Sequence, residues 1–172
     1  MEFKSIGIDT IVDSAAQIKR PCLIELGNHV AIDSIYCSTS MRIGDYVHLA
    51  PFVCIIGGAD SLLIMDHFSG IAANSTIVCA GDDFTQGMMN PQVPMEYKNV
   101  INKPVVFKKF TTTGVGCVVM PGVTLAEGSV LGANSVLTKS TEPWTIYVGS
   151  PARPVKDRDS KKILDAAQCL GY

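Results

Sequence analysis

The chain predicts an all-β fold, a parallel β-helix wound from six-residue units. Three observations carry this reading. From Phe107 to Leu137 the sequence divides into hexads, FKKFTT, TGVGCV, VMPGVT, LAEGSV and LGANSV, with Leu137 opening the next. The first slot holds Phe107, Thr113, Val119, Leu125, Leu131 and Leu137. The fifth slot holds Thr111, Cys117, Val123, Ser129 and Ser135, all small or β-branched. Such a period is neither helical nor a simple alternation, and a fixed repeat marks units that stack.

A chain that turns after each hexad winds into a triangular coil. The first residue of each unit points inward and stacks on its equivalent one coil away. The fifth also points inward, close to a corner, and must be small. Flat extended faces favour β-branched residues, and corners favour Gly, Asn and Asp. Hydrogen bonds then run between coils as in a parallel sheet.

Taken in order, the N-terminal stretch from Phe3 to Ile18 carries Ile6, Ile8, Ile11 and Val12 without a clean period, which fits a strand and a degenerate first coil. Leu26-Gly27-Asn28-His29-Val30-Ala31 is a weak hexad. Ile43 to Ile55 and Met65 to Ile77 are clear two-hexad blocks. Slips near Ser38 and Gly58 read as loops between coils. Between Ile77 and Phe107 the rhythm fails, and residues 81–104 read as an excursion loop leaving the coil. Long loops in compact domains are commonly functional, and the apolar Met88, Met89, Val93, Pro94 and Tyr97 predict packing against a neighbouring subunit. Pro143 cannot donate to an inter-coil ladder, so the coils are expected to end there, with Trp144 capping the stack. Asp159 is the expected N-cap of a short C-terminal helix that ends at Gly171. Ile163, Leu164, Ala167 and Leu170 share its apolar face. Residues 1–158 and the helix of residues 159–172 are read as one domain.

Composition is consistent with this. The chain has 172 residues, 47% of them hydrophobic and only 17% charged. A net charge of −2 argues against a nucleic-acid or anionic-membrane surface. The apolar runs are short and broken, so no membrane insertion is expected, and Met1-Glu2-Phe3-Lys4 lacks the apolar core of a signal peptide. Six cysteines without a C-x-x-C pair read as small buried hydrophobes in a reducing cytoplasm.

The hexads, together with Met120-Pro121-Gly122-Val123, Gly132 to Lys139 and Gly149-Ser150-Pro151-Ala152-Arg153-Pro154, resemble the hexapeptide-repeat acyltransferases, most closely the bacterial sugar O- and N-acetyltransferases. The resemblance implies a left-handed β-helix and a homotrimer with active sites between subunits. It implies acetyl-CoA as co-substrate and a sugar or nucleotide-sugar acceptor used for surface polysaccharide, with a slight preference for a hydroxyl over an amine. It implies no metal. By resemblance, backbone groups of Gly114 and Ala133 meet the pantetheine arm, and Lys139, Arg153 and Lys156, with Arg158 in reserve, meet the phosphates.

The base departs from the family pattern. The family's His falls on Asp82 of Cys79-Ala80-Gly81-Asp82-Asp83-Phe84, and its Trp falls on Thr112. Asp82 and Asp83 read as a carboxylate base, as acceptor-binding groups, or as a turn. His67, third in its hexad and outward-facing, is the alternative base; His29 and His48 follow it. Outward Tyr46, Phe52, Phe68 and Phe110 predict an apolar face for partners, in keeping with a C3 trimer. Two rival readings remain. One is a non-catalytic β-helix scaffold that has lost its base. The other is a zinc β-helix of the γ-carbonic-anhydrase kind, which the scattered histidines disfavour.

Overall fold

The hexads become the faces of a triangular prism. A computed structural model describes residues 1–172. The first face runs from Ile11–Val12 through Ala31–Ile32, His48–Leu49, Gly70–Ile71, Thr112–Thr113 and Val130–Leu131 to Thr145–Gly149, with Ala152–Asp157 added antiparallel at the end. The second runs from Gln17–Ile18 to Val136–Leu137, and the third from Ile24–Leu26 to Thr124–Leu125. All other pairings within the faces are parallel, and equivalent slots fall in register, as Ile71, Thr113 and Leu131 do.

The slot rule explains the core. Phe107, Val119 and Leu131 are fully buried, as are the fifth-slot Ser129 and Ser135. Buried hydroxyls need partners, and the corners supply them. Ser75 Oγ donates to Gly114 O at 3.2 Å, and Thr111 Oγ1 donates to Lys108 O at 2.7 Å. No buried side-chain polar atom lacks a hydrogen-bond partner. The slip near Gly58 is a tight loop in which Gly58 N–H donates to Ser61 Oγ at 2.9 Å.

One corner differs from the sequence expectation. Tyr46, Phe68 and Phe110 are not separate outward rings. With His29 and Trp144 they form a ladder of stacked rings, with centroids 4.6 Å apart for His29–Tyr46, 5.0 Å for Tyr46–Phe68 and 5.4 Å for Phe68–Phe110. Each residue turns the corner with positive φ, from 50° at Trp144 to 63° at Phe110. That conformation is unfavourable for bulky residues, and ring stacking of about 0.5–1.5 kcal/mol per pair offsets it. Only Phe52, on another corner, stays open to solvent.

Trp144 therefore does not lie over the end of the stack. It belongs to the ladder, 6.0 Å from Phe110 across Gly128, whose missing side chain makes room for the indole. Nor do the coils end at Pro143, because Thr145–Gly149 still pairs in parallel with Val130–Leu131. Arg158 fastens this corner: its guanidinium donates to Phe110 O at 2.7 Å and Gly128 O at 2.8 Å.

The C-terminal helix spans Lys161–Cys169. The N-cap is Ser160 rather than the expected Asp159, whose carboxylate accepts the Lys161 N–H at 3.0 Å from one residue earlier, and Gly171 follows the helix with a φ of 86°. The expected apolar face is only partly used: Ala167 is buried, whereas Leu164 and Leu170 are exposed. Tyr172 instead fixes the tail. Its ring packs edge-on against Tyr46 and Phe68, and its hydroxyl donates to Asp45 Oδ2 at 2.6 Å. No helix is long and apolar enough to cross a membrane.

Three expectations follow. At Gly128 a Cβ would come within 2.3 Å of the Trp144 ring on a backbone with φ of 68°. Gly128→Ala is therefore expected to lower stability by about 1–3 kcal/mol. Gly58→Ala, with nothing nearer than 3.9 Å, should leave the thermal midpoint nearly unchanged. The hydrogen bond to Asp45 pushes the Tyr172 phenol up to about 12. A raised folded value means the contact contributes fully below the ordinary tyrosine value, about 10. The contact is lost as pH rises through about 12, and tyrosinate absorbance should report release of the tail there.

Candidate active site

The excursion is a hairpin. Ala80–Asp82 pairs antiparallel with Val100–Asn102 where the second face turns toward the third. The chain leaves the prism after Cys79 and returns where Lys103 N–H donates to Cys79 O at 3.1 Å. Met88 N–H to Tyr97 O, at 2.9 Å, closes the far end, and a short turn of helix spans Met95–Tyr97.

This hairpin and the loop at Gly58 wall a cleft of about 500 Å³. Gly57, Gly58, Asp60 and Ser61 line one side; Asp82, Lys98, Val100 and Asn102 line the other. Asp82 Oδ1 lies 3.2 Å from Lys98 Nζ. Both side chains are largely withdrawn from water, 21% and 9% exposed respectively. Lys98, Ser61 and Asn102 were not singled out in the sequence; Lys98 is one of only two cations in residues 81–104, which is the signal that marks it.

Asp83 does something else. It accepts the Thr85 N–H at 2.8 Å, the Thr85 hydroxyl at 2.7 Å and Asn99 Nδ2 at 2.9 Å. The Thr85 hydroxyl and N–H, outweighing the small cost of burial, hold its carboxyl below the ordinary carboxylate value. This is turn geometry, and it makes Asp83 a weaker proton acceptor.

His67 is not brought to this cleft. It sits on the aromatic corner, 5.0 Å from the Tyr172 ring. Its Nδ1 accepts the Asp45 N–H at 2.9 Å, which occupies the lone pair. Asp45 Oδ2 approaches the same nitrogen at 3.3 Å. His48 pairs with Asp33 at 2.9 Å on the first face, and His29 stacks on Tyr46.

The expected cofactor residues divide between two corners. Gly114 and Ala133 stack where the first face turns to the second, so closely that a Cβ on Gly114 would lie 2.5 Å from Ala133 N. Gly114 carries no side chain there and Ala133 only a methyl, which suits the close approach of an amide-bearing arm. Arg153 pairs with Val148 beside the same corner and is exposed. Lys156, opposite Ile146, lies farther along that strand. Lys139 is exposed beyond Val136–Leu137, near the corner that carries the hairpin. Arg158 is committed to main-chain carbonyls and stays with the fold.

The dTDP-4-amino-4,6-dideoxy-D-glucose acyltransferase of Escherichia coli is 34% identical to this chain over 171 residues, covering 96% of this chain and 87% of that protein. The chain belongs to the hexapeptide-repeat acyltransferase family. It is an acyltransferase with the left-handed β-helix of that family. AntD, an N-acyltransferase from Bacillus cereus solved with dTDP and coenzyme A as a variant with one aspartate replaced by asparagine, superposes with a TM-score of 0.93 at 33% identity, covering 98% of this chain and 92% of that one. WbbJ of Escherichia coli K12, named for O-acetyl transfer in lipopolysaccharide biosynthesis, is 29% identical over 127 residues, covering 71% of this chain and 60% of that protein. No family profile matches the chain.

Within this hexapeptide-repeat framework the departures acquire a setting. Asp82, where the sequence resemblance would place a His, faces the cleft beside a lysine. Thr112, where the resemblance would place a Trp, pairs with Gly70 and leaves a shallow hollow on the first face, also lined by His48 and Ala72. A further groove of about 390 Å³ lies under the C-terminal helix against Phe68 and Phe110, where the Arg158 guanidinium is already engaged. Of the three candidates only Asp82 lines the cleft, and Asp82→Asn is expected to lower kcat about ten- to a hundredfold with coenzyme A affinity unchanged. His67→Ala should reduce thermal stability and leave kcat within about threefold. Steady-state kinetics and a melting curve on each variant check this.

Proposed function

We propose that the protein transfers an acetyl group from acetyl-CoA to the amine of a deoxyamino sugar carried on a nucleoside diphosphate, in the supply of sugars for surface polysaccharide. The observation that carries the reading is the Asp82 cleft at the root of the hairpin, on a fold that matches amino-sugar N-acyltransferases along nearly its whole length. That likeness favours an amine over the hydroxyl preferred from sequence. A scaffold without chemistry is superseded by membership of an acyltransferase family.

The chemistry asks little of a base. The acceptor nitrogen attacks the thioester carbonyl, a C–N bond forms, the C–S bond breaks and the coenzyme leaves as a thiolate. One proton must leave the nitrogen, and the thiolate or solvent takes it up. An amine that arrives uncharged is already a nucleophile, so holding it in line supplies most of the rate. Asp82 accepts a hydrogen bond from that nitrogen and orients it. Gly114 and Ala133 hold the pantetheine arm through backbone groups, and Arg153, Lys139 and Lys156 meet phosphates.

The working form in this reading is a cytoplasmic homotrimer with each cleft completed by a neighbour. Phe84, Met88, Met95 and Tyr97 stand 58–81% exposed on the hairpin, more apolar surface than a free loop carries in water. Purified protein incubated with acetyl-CoA and dTDP-4-amino-4,6-dideoxyglucose should release free thiol and yield the N-acetylated nucleotide sugar by mass spectrometry. Absence of turnover and of binding by this nucleotide sugar would reject the reading.

A further inference from the structure

Lys98 is a nearly buried cation whose carboxylate partner is the group that orients the acceptor. It reaches the cleft from the return arm of the hairpin, whereas Asp82 lies on the outgoing arm. The pair places a positive charge beside the position of the acceptor nitrogen. Asp82 and Asp60 are the carboxylates that line the cleft with it, and only Asp82 is paired to it. Asp60, on the facing loop, is exposed. Glu96 is exposed on the short helical turn. Asp83 is bound by Thr85 and Asn99, and Lys103 lies against Gly122.

We propose that Lys98 is a positioning and selectivity residue: by holding one oxygen of Asp82 and presenting its own charge to the cleft, it makes the site take the uncharged amine of the acceptor and reject the ammonium. This rests on the acyl-transfer reading above and deepens it. The physical reason is competition. A free carboxylate in a half-dry cleft would attract an ammonium, which has no lone pair and cannot attack a thioester. A cation already paired to that carboxylate offsets most of that attraction, so the ammonium loses its advantage over the uncharged amine. The site then binds the form that reacts, and its proton is left in solution before chemistry begins.

The consequence is a kinetic signature that a merely structural lysine lacks. In Lys98→Met the ammonium form should bind Asp82 unproductively. With dTDP-4-amino-4,6-dideoxyglucose and acetyl-CoA, kcat and KM for the sugar are then expected to fall together, about tenfold at neutral pH. The kcat loss should vanish as pH rises toward about 9, where the amine is uncharged in solution. Lys98→Arg, which keeps the charge, should retain the wild-type pH profile. Calorimetry without acyl donor gives a second readout: the Met variant should bind the amino sugar more tightly than wild type at low pH, and the matching sugar with a hydroxyl at that carbon equally well.

A loss of kcat that does not depend on pH, a rise in KM, or failure of the Arg variant to restore the profile would overturn the proposal and leave the transferase reading standing. Failure of the wild-type protein both to bind and to acetylate the amino sugar would overturn the two together. Unchanged acetyl-CoA affinity in each variant shows that the coils remain intact.

Discussion

The stacking of each slot on its equivalent one coil away is the constraint on which the structure depends. Ile71 rests on Thr113 and Thr113 on Leu131 in strict register. A single-residue slip would turn an inward aliphatic outward and an outward polar group into the core. The fifth slot obeys a second constraint, since its residue must be small and must also satisfy corner carbonyls. Ser75 does both, donating to Gly114 O and accepting the Cys117 N–H at 3.2 Å. Regular coils thus leave little freedom for chemistry, and the variable parts are the corners and the one place where the chain departs.

The two kinds of corner show how the same geometry is adapted. Where Gly114 meets Ala133 the corner carries at most a methyl, and the two coils approach within the reach of a single Cβ. Where Tyr46, Phe68 and Phe110 meet, bulky rings occupy a left-handed conformation that would favour Gly or Asn. Stacking along the ladder, the Arg158 clamp and Tyr172 over the outside stabilise that corner. The hairpin lies on the third corner, so the candidate chemistry is spatially separate from the element that secures the C-terminus.

The coil was legible because every unit repeats the same physical requirement. The inward slots from Phe107 to Leu137 could be read from spacing alone, and the break at residues 81–104 followed from its failure. The stacking along the aromatic corner was not legible for a physical reason: in a hexad, an outward ring looks the same whether it meets a neighbouring subunit or the ring one coil away. Trp144 was misplaced on the same ground, because nothing local records that Gly128 vacates the space it fills. The site was partly legible. Asp82 and Asp83 are adjacent and chemically alike in sequence, yet hydrogen bonds from Thr85 and Asn99 commit one to a turn while Lys98 draws the other to the cleft. Pairings between two arms of an aperiodic loop leave no trace in periodicity.

A crystal structure with coenzyme A and dTDP-4-amino-4,6-dideoxyglucose bound together tests the central claim most directly. The account predicts the pantetheine arm along the Gly114–Ala133 corner and the sugar amine within hydrogen-bond reach of Asp82, on the line of attack toward the sulfur end of the arm. An amine placed against His48 or His67, with Asp82 facing solvent, would contradict it.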